Sequence, residues 1–174
     1  MVPRLRHRRT TIAVRQRAPP HAGPATRSAA RWPGAVRCLA VTDRQLISSG
    51  GPWELIVGYS RAVRVAERVF VAGTAAQWPD DRVEPDPEAQ TRRCFEIIGD
   101  ALEAAGASFA DVVRTRVYLV DSADFDAVSR VHGEHFHDVR PANTTVVVKA
   151  LMNPAWKVEV EVEAVIATAP SVDR

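Results

Sequence analysis

Cysteine is nearly absent. Cys38 and Cys94 are the only two in 174 residues, one in an Arg-rich stretch and one inside a helical pattern. They supply neither a disulfide framework nor a metal-binding set. Lysine is scarce as well, with Lys149 and Lys157 set against 21 arginines. No run of about 18 apolar residues occurs, which excludes a transmembrane helix. A Gly-rich phosphate loop and a Gly-x-Ser-x-Gly elbow are both missing, so the chain lacks the motifs of P-loop and α/β-hydrolase chemistry. His132, His135 and His137 cluster in sequence, but no Cys or acid completes a tetrahedral set, and His137 falls far round a helix from His135. Neither a metal nor a cofactor is expected.

Charge divides the chain. Residues 1–44 carry ten Arg and one acid, Asp43, for +9, whereas residues 45–174 carry 13 Lys+Arg and 20 Asp+Glu, for −7. Residues 1–50 show no period of 2 or 3.6, and Pro3, Pro19, Pro20, Pro24 and Pro33 interrupt any helix. They read as a disordered extension; a transit peptide, a nucleic-acid-binding arm and a start outside the natural one are the alternatives. Ser48-Ser49-Gly50-Gly51-Pro52 reads as a flexible boundary. The domain proper is expected over 51–170, in the cytoplasm.

Within the domain, Ile56–Val65 reads as a strand with Tyr59, Arg61, Val63 and Val65 on one face. Ala66-Glu67 is a tight connection to a second strand, Val69–Thr74. Asp86-Pro87 suits a helix start, and Thr91, Phe95, Ile98, Leu102 and Ala105 then share one helical face up to a stop at Gly106. Val113, Thr115, Val117 and Leu119 alternate with Arg114, Arg116 and Tyr118 in a third strand. A second helix follows near 123–138, with Phe125, Val128, His132 and Phe136 inward. Trp53, Trp78 and Trp156 fall in loops, lining a pocket or covering apolar edges.

The clearest signal is the C-terminal run. Val158, Val160, Val162, Ala164 and Ile166 alternate with Glu159, Glu161 and Glu163, which is the period of a strand. Together with Thr144–Val148 across Asn153-Pro154 it reads as a hairpin-like unit. The fold class is α+β, in the order β-β-α-β-α-β-β, with two helices on one sheet face. Arg114, Arg116 and Tyr118 should meet the three glutamates on the other face.

Pro141-Ala142 before a strand, the closing Glu161-Val162-Glu163-Ala164, Gly58-Tyr59, Phe70–Thr74 and Val113–Leu119 stand in an order that resembles the RidA/YjgF family over roughly residues 53–168. The resemblance implies a chorismate-mutase-like fold and a homotrimer with clefts between subunits. It also implies hydrolysis of enamines or imines to keto acids and ammonia, and a small-molecule metabolite as ligand. Carried over by position, Tyr59 and Glu161 are the catalytic candidates, Glu161 orienting water. Asn143, Thr145, Arg61, Ala72 and Gly73 are the substrate-binding candidates. Asn143 stands where the deaminases carry an arginine for the substrate carboxylate, and Ala72 stands where they carry a serine. Losing that charge argues against standard 2-imino-acid deamination; Arg61, on the strand face of Tyr59, is the candidate substitute. An RNA-directed ribonuclease or translation inhibitor is the remaining alternative, against which stands the −7 of residues 45–174.

Overall fold

The computed structural model describes residues 44–80 and 82–167. Expectations for the Arg-rich stretch up to residue 43 lie outside the described residues. The chain runs β1 (Arg44–Ile47), α1 (Pro52–Val57), β2 (Ala62–Val65), β3 (Arg68–Ala75), α2 (Pro87–Ala104), β4 (Val112–Leu119), α3 (Phe125–Phe136), β5 (Ala142–Val147) and β6 (Val158–Val165). The strands form one sheet in the order β1-β2-β3-β6-β4-β5. All neighbours are antiparallel except β4 and β5.

Strand β6 lies at the centre. Val158, Val160, Val162 and Ala164 are buried against the helices, and Glu159, Glu161 and Glu163 take the opposite face. Helix α2 begins as its sequence dictates: the Asp86 side chain accepts from the Ala89 N–H and Pro87 opens the first turn. Thr91, Phe95, Ile98, Leu102 and Ala105 are all buried, and Gly106 follows at φ +75°. Gln90, fully buried, ties the 153–157 loop down: it donates to the Ala155 carbonyl and accepts from the Lys157 N–H.

The α+β class and the two long helices over one sheet face agree with the sequence. Several details differ. The expected strand over Ile56–Val65 begins only at Ala62. Residues 52–57 are helical because Pro52 presets the first turn and Gly58, at φ +81°, ends it. Strand β1 precedes the expected domain start and pairs Leu46 with Val63 and Ile47 with Ala62. The order is therefore β-α-β-β-α-β-α-β-β. The expected hairpin of β5 with β6 does not form; β4 lies between them, and β5 runs parallel to β4 at the sheet edge. Val113 is 46% exposed, because an irregular register between Val112 and Arg114 puts Val112 inward instead. Phe125, in the first turn of α3, is 48% exposed, and Val131 fills the core position.

Ser48 and Ser49, expected as a flexible boundary, hold a buried carboxylate. Both hydroxyls and the Ser49 N–H donate to Glu54. A chain shortened to begin at Gly51 loses β1, the buried Ile47 and this clamp. Burial of one such side chain is worth about 2 kcal/mol, so thermal unfolding should come about 5 °C or more lower than for a chain beginning at residue 40. Equal melting temperatures would mean that β1 adds nothing to the domain.

Candidate functional site

The face of the sheet away from the helices has two halves. On β1, β2 and β3 it carries an apolar register row, Leu46, Val63 and Phe70, with Arg44, Val65 and Arg68 in the row beside it. On β6 and β4 it is charged, and the register sets Arg114 against Glu163, Arg116 against Glu161 and Tyr118 against Glu159. Arg116 spans two carboxylates, 3.2 Å from Glu161 and 2.8 Å from Glu163. Arg114 lies 3.9 Å from Glu163. The crossed pairing expected from the sequence is therefore present, with Arg116 as its hinge.

An open hollow of about 830 Å³ lies over this face, lined among others by Tyr59, Phe70, Ala72, Arg116, Glu161 and Glu163. Tyr59 enters from the turn after α1, where its N–H donates to the Glu54 carbonyl at 3.1 Å. Ala72 and Gly73 occupy a bulge in β3 between Val71 and Thr74. The bulge is held by Arg61. Its Nη1 donates to the Gly73 carbonyl at 3.0 Å, the Ala72 carbonyl at 3.4 Å and Thr74 Oγ1 at 2.7 Å. Its Nη2 reaches the Tyr59 hydroxyl at 3.4 Å. Arg61 thus serves the backbone around Gly73 first, and much of its hydrogen-bonding capacity is already committed.

Asn143 and Thr145 do not join this group within one chain. The parallel register sets Asn143 beside Thr115 and Thr145 beside Val117, both buried on the helix side. Asn143 and Thr145 therefore face the helix side of β5, whereas Glu161 faces the other side of β6. Three strand spacings, about 14 Å, separate β5 from β3. Every residue of β5 is at least partly exposed, with Val147 at 56%.

Asn143 belongs to a relay that runs from the exposed edge strand inward through the buried Thr115. Its Nδ2 donates to Thr115 Oγ1 at 2.9 Å, and Thr115 Oγ1 lies 2.9 Å from His132 Nε2. Thr145 donates to Asn143 Oδ1 at 3.1 Å. Thr115 Oγ1 accepts from Asn143, and which partner donates in its bond with His132 follows the imidazole tautomer. His132 and His135 pack among Phe95, Phe109 and Phe136. Burial pushes both imidazoles down, with His135 adding to the effect on His132. Cys94 is fully buried, and burial pushes its thiol far up, so it is no nucleophile.

Sequence reasoning left two carboxylates out of the candidate site. Burial pushes Glu54 up, but the bonds from Ser48 and Ser49 outweigh it and hold the group below the usual range. Its signal was Pro52 at the first helical position with Glu two residues on, the N3 place of a helix cap. Glu159, half-buried beside Gly73, is the second. The three tryptophans line a separate hollow of about 410 Å³ together with Met152.

The family model described as Endoribonuclease L-PSP matches residues 53–166. The chain belongs to the RidA/YjgF family. The Streptomyces coelicolor protein SCO2049 is 44% identical over 119 residues, covering 68% of this chain and 89% of its own. A rat protein named 2-iminobutanoate/2-iminopropanoate deaminase is 30% identical over 129 residues, covering 73% of this chain and 92% of its own. The crystal structure of Rv2704 from Mycobacterium tuberculosis, described as a member of the YjgF/YER057c/UK114 family, superposes with a TM-score of 0.67 at 43% identity. It covers 71% of this chain and 100% of its own. RidA/YjgF membership accounts for the fold and for the order of motifs along the chain. No helix among the described residues is long and apolar enough to cross a membrane.

The relay sets a pH dependence. Burial holds both histidines below the usual imidazole range in the folded chain, whereas in the unfolded chain they protonate below about pH 6.5. The unfolded state then binds more protons, so stability is full above that pH and falls as pH drops through it. Urea midpoints from pH 7.5 to 5.5 should decline, and His132→Phe should flatten the decline. An unchanged slope in that variant would exclude His132 as a source.

Proposed function

We propose that this protein is a homotrimer that binds a small metabolite in a cleft between two copies, with Glu161 orienting a water and Tyr59 contacting the ligand. One observation carries the reading. Tyr59, Ala72 and Glu161 line one hollow, with Gly73 against Glu159 on the same sheet face, while Asn143 and Thr145 sit on an exposed edge strand and turn to the other face. A small ligand cannot touch both groups in one chain, so the full set requires the edge strand of a second copy. The exposed Val146 and Val147 of β5 and the apolar Leu46 and Phe70 supply surface for that contact.

The chemistry fits hydrolysis of a C=N bond. The Arg116 guanidinium, 3.2 Å from Glu161, holds that side chain in place on the open face, as positioning a water requires. Standard 2-imino acids are poor substrates in this reading, because Asn143 brings no charge and Arg61 is committed to the β3 bulge. A ribonuclease reading has less support, since Arg114 and Arg116 on the open face already face carboxylates.

Light scattering should give three times the 19.1 kDa chain mass at micromolar concentration; a monomer would end the intersubunit reading. With 2-iminopropionate generated in the assay, the rate should be at least tenfold below that of the rat deaminase. Asn143→Arg should raise it, and Glu161→Ala should abolish what remains. A full rate that survives Glu161→Ala would refute the role given to that carboxylate.

A further inference from the structure

Glu159 is a carboxylate of the open face that the proposed hydrolysis leaves unused and that no ion pair among the described residues engages. It stands on β6 between Ala75 of β3 and Tyr118 of β4. Its side chain lies across Gly73 so closely that a Cβ there would overlap the carboxylate oxygen Oε1. The absence of a side chain at position 73 is what gives this carboxylate its place.

The neighbouring acids are answered by cations and Glu159 is not. Glu161 and Glu163 share Arg116, and Glu163 also has Arg114. Among the described residues Glu159 takes part in no ion pair. Arg61 acts on it from a distance, with Nη1 bonded to Gly73, Ala72 and Thr74 and Nη2 turned to Tyr59. Burial pushes the Glu159 carboxyl up, and the Glu161 charge pushes it further, while Arg61 draws it back.

Two departures from the expected deaminase site thus act in one direction. Position 143 has no cation, and an anion lies against Gly73 at the expected substrate position. We propose that Glu159 makes this cleft selective for ligands that present a cationic nitrogen, a protonated imine or amine, at Gly73 in place of a carboxylate. The proposal rests on the cleft reading above. A ligand carboxylate at Gly73 would meet a half-buried like charge, whereas an N–H⁺ group would donate to Glu159 and supply the partner it lacks. Asn143, neutral and tied to Thr115 and Thr145, opposes neither kind of nitrogen ligand.

A matched pair of six-membered rings tests this on the full chain at pH 7: piperidinium as the cation and cyclohexanecarboxylate as the anion. Dissociation constants from NMR titration should favour piperidinium by at least tenfold. The shifted amide signals should include Tyr59, Gly73 and Glu161. Glu159→Gln should weaken piperidinium roughly 10- to 100-fold, the range expected for a hydrogen bond to a charged group. Adding Asn143→Arg to that variant should reverse the preference toward cyclohexanecarboxylate. If cyclohexanecarboxylate binds the unmodified protein at these residues as tightly as piperidinium, the assignment of Glu159 falls while the cleft stands. Piperidinium binding unchanged by Glu159→Gln has the same meaning. If neither ring shifts these signals, the cleft reading falls, and the assignment with it.

Discussion

The alternation along β6 is the constraint on which the remaining structure depends. Val158, Val160, Val162 and Ala164 are at most 1% exposed, and the glutamates between them all face the other way. A slip of one residue would bury three carboxylates and expose four core side chains, so the register is fixed from within. Because β6 pairs with both β3 and β4, it sets the face of each. Arg116 then falls opposite Glu161, and the β3 bulge falls beside Glu159.

From this follows the division of the site. The open face of one chain carries carboxylates, a phenol and the Gly73 bulge. The edge strand β5 carries Asn143 and Thr145 toward the helices, wired through Thr115 to His132. Neither group is a complete binding site. The first has carboxylates and a phenol but no side-chain amide; the second has an amide and a hydroxyl but no carboxylate.

The elements legible in the sequence were those with a long, uninterrupted period. The α2 stripe and the β6 alternation are both repeated over four or five positions, and both appear in the structure as read. Elements set by a cap or by tertiary contact were not legible. Leu55-Ile56-Val57 is an apolar run with no period, and Pro52 with Gly58 decides it as a helical turn. Strand β1 is four residues long, and it is identifiable only through its pairing with β2. The placing of β4 between β5 and β6 is a long-range choice that adjacency in sequence does not reveal. For the candidate site residues, the faces they take were not legible. The face of Asn143 depends on the parallel register with β4, and the place of Glu159 depends on the bulge at Gly73.

The central claim is that the two groups meet only between chains. Cross-linking tests it without reference to any substrate. One chain carries Ala72→Cys and the other, isotopically labelled, carries Thr145→Cys, both with Cys38→Ser; they are co-expressed and treated with a short bismaleimide. Mass spectrometry should find peptides joining residue 72 of one chain to residue 145 of the other. Cross-links confined to single chains of a double variant, with none between chains, would contradict the account.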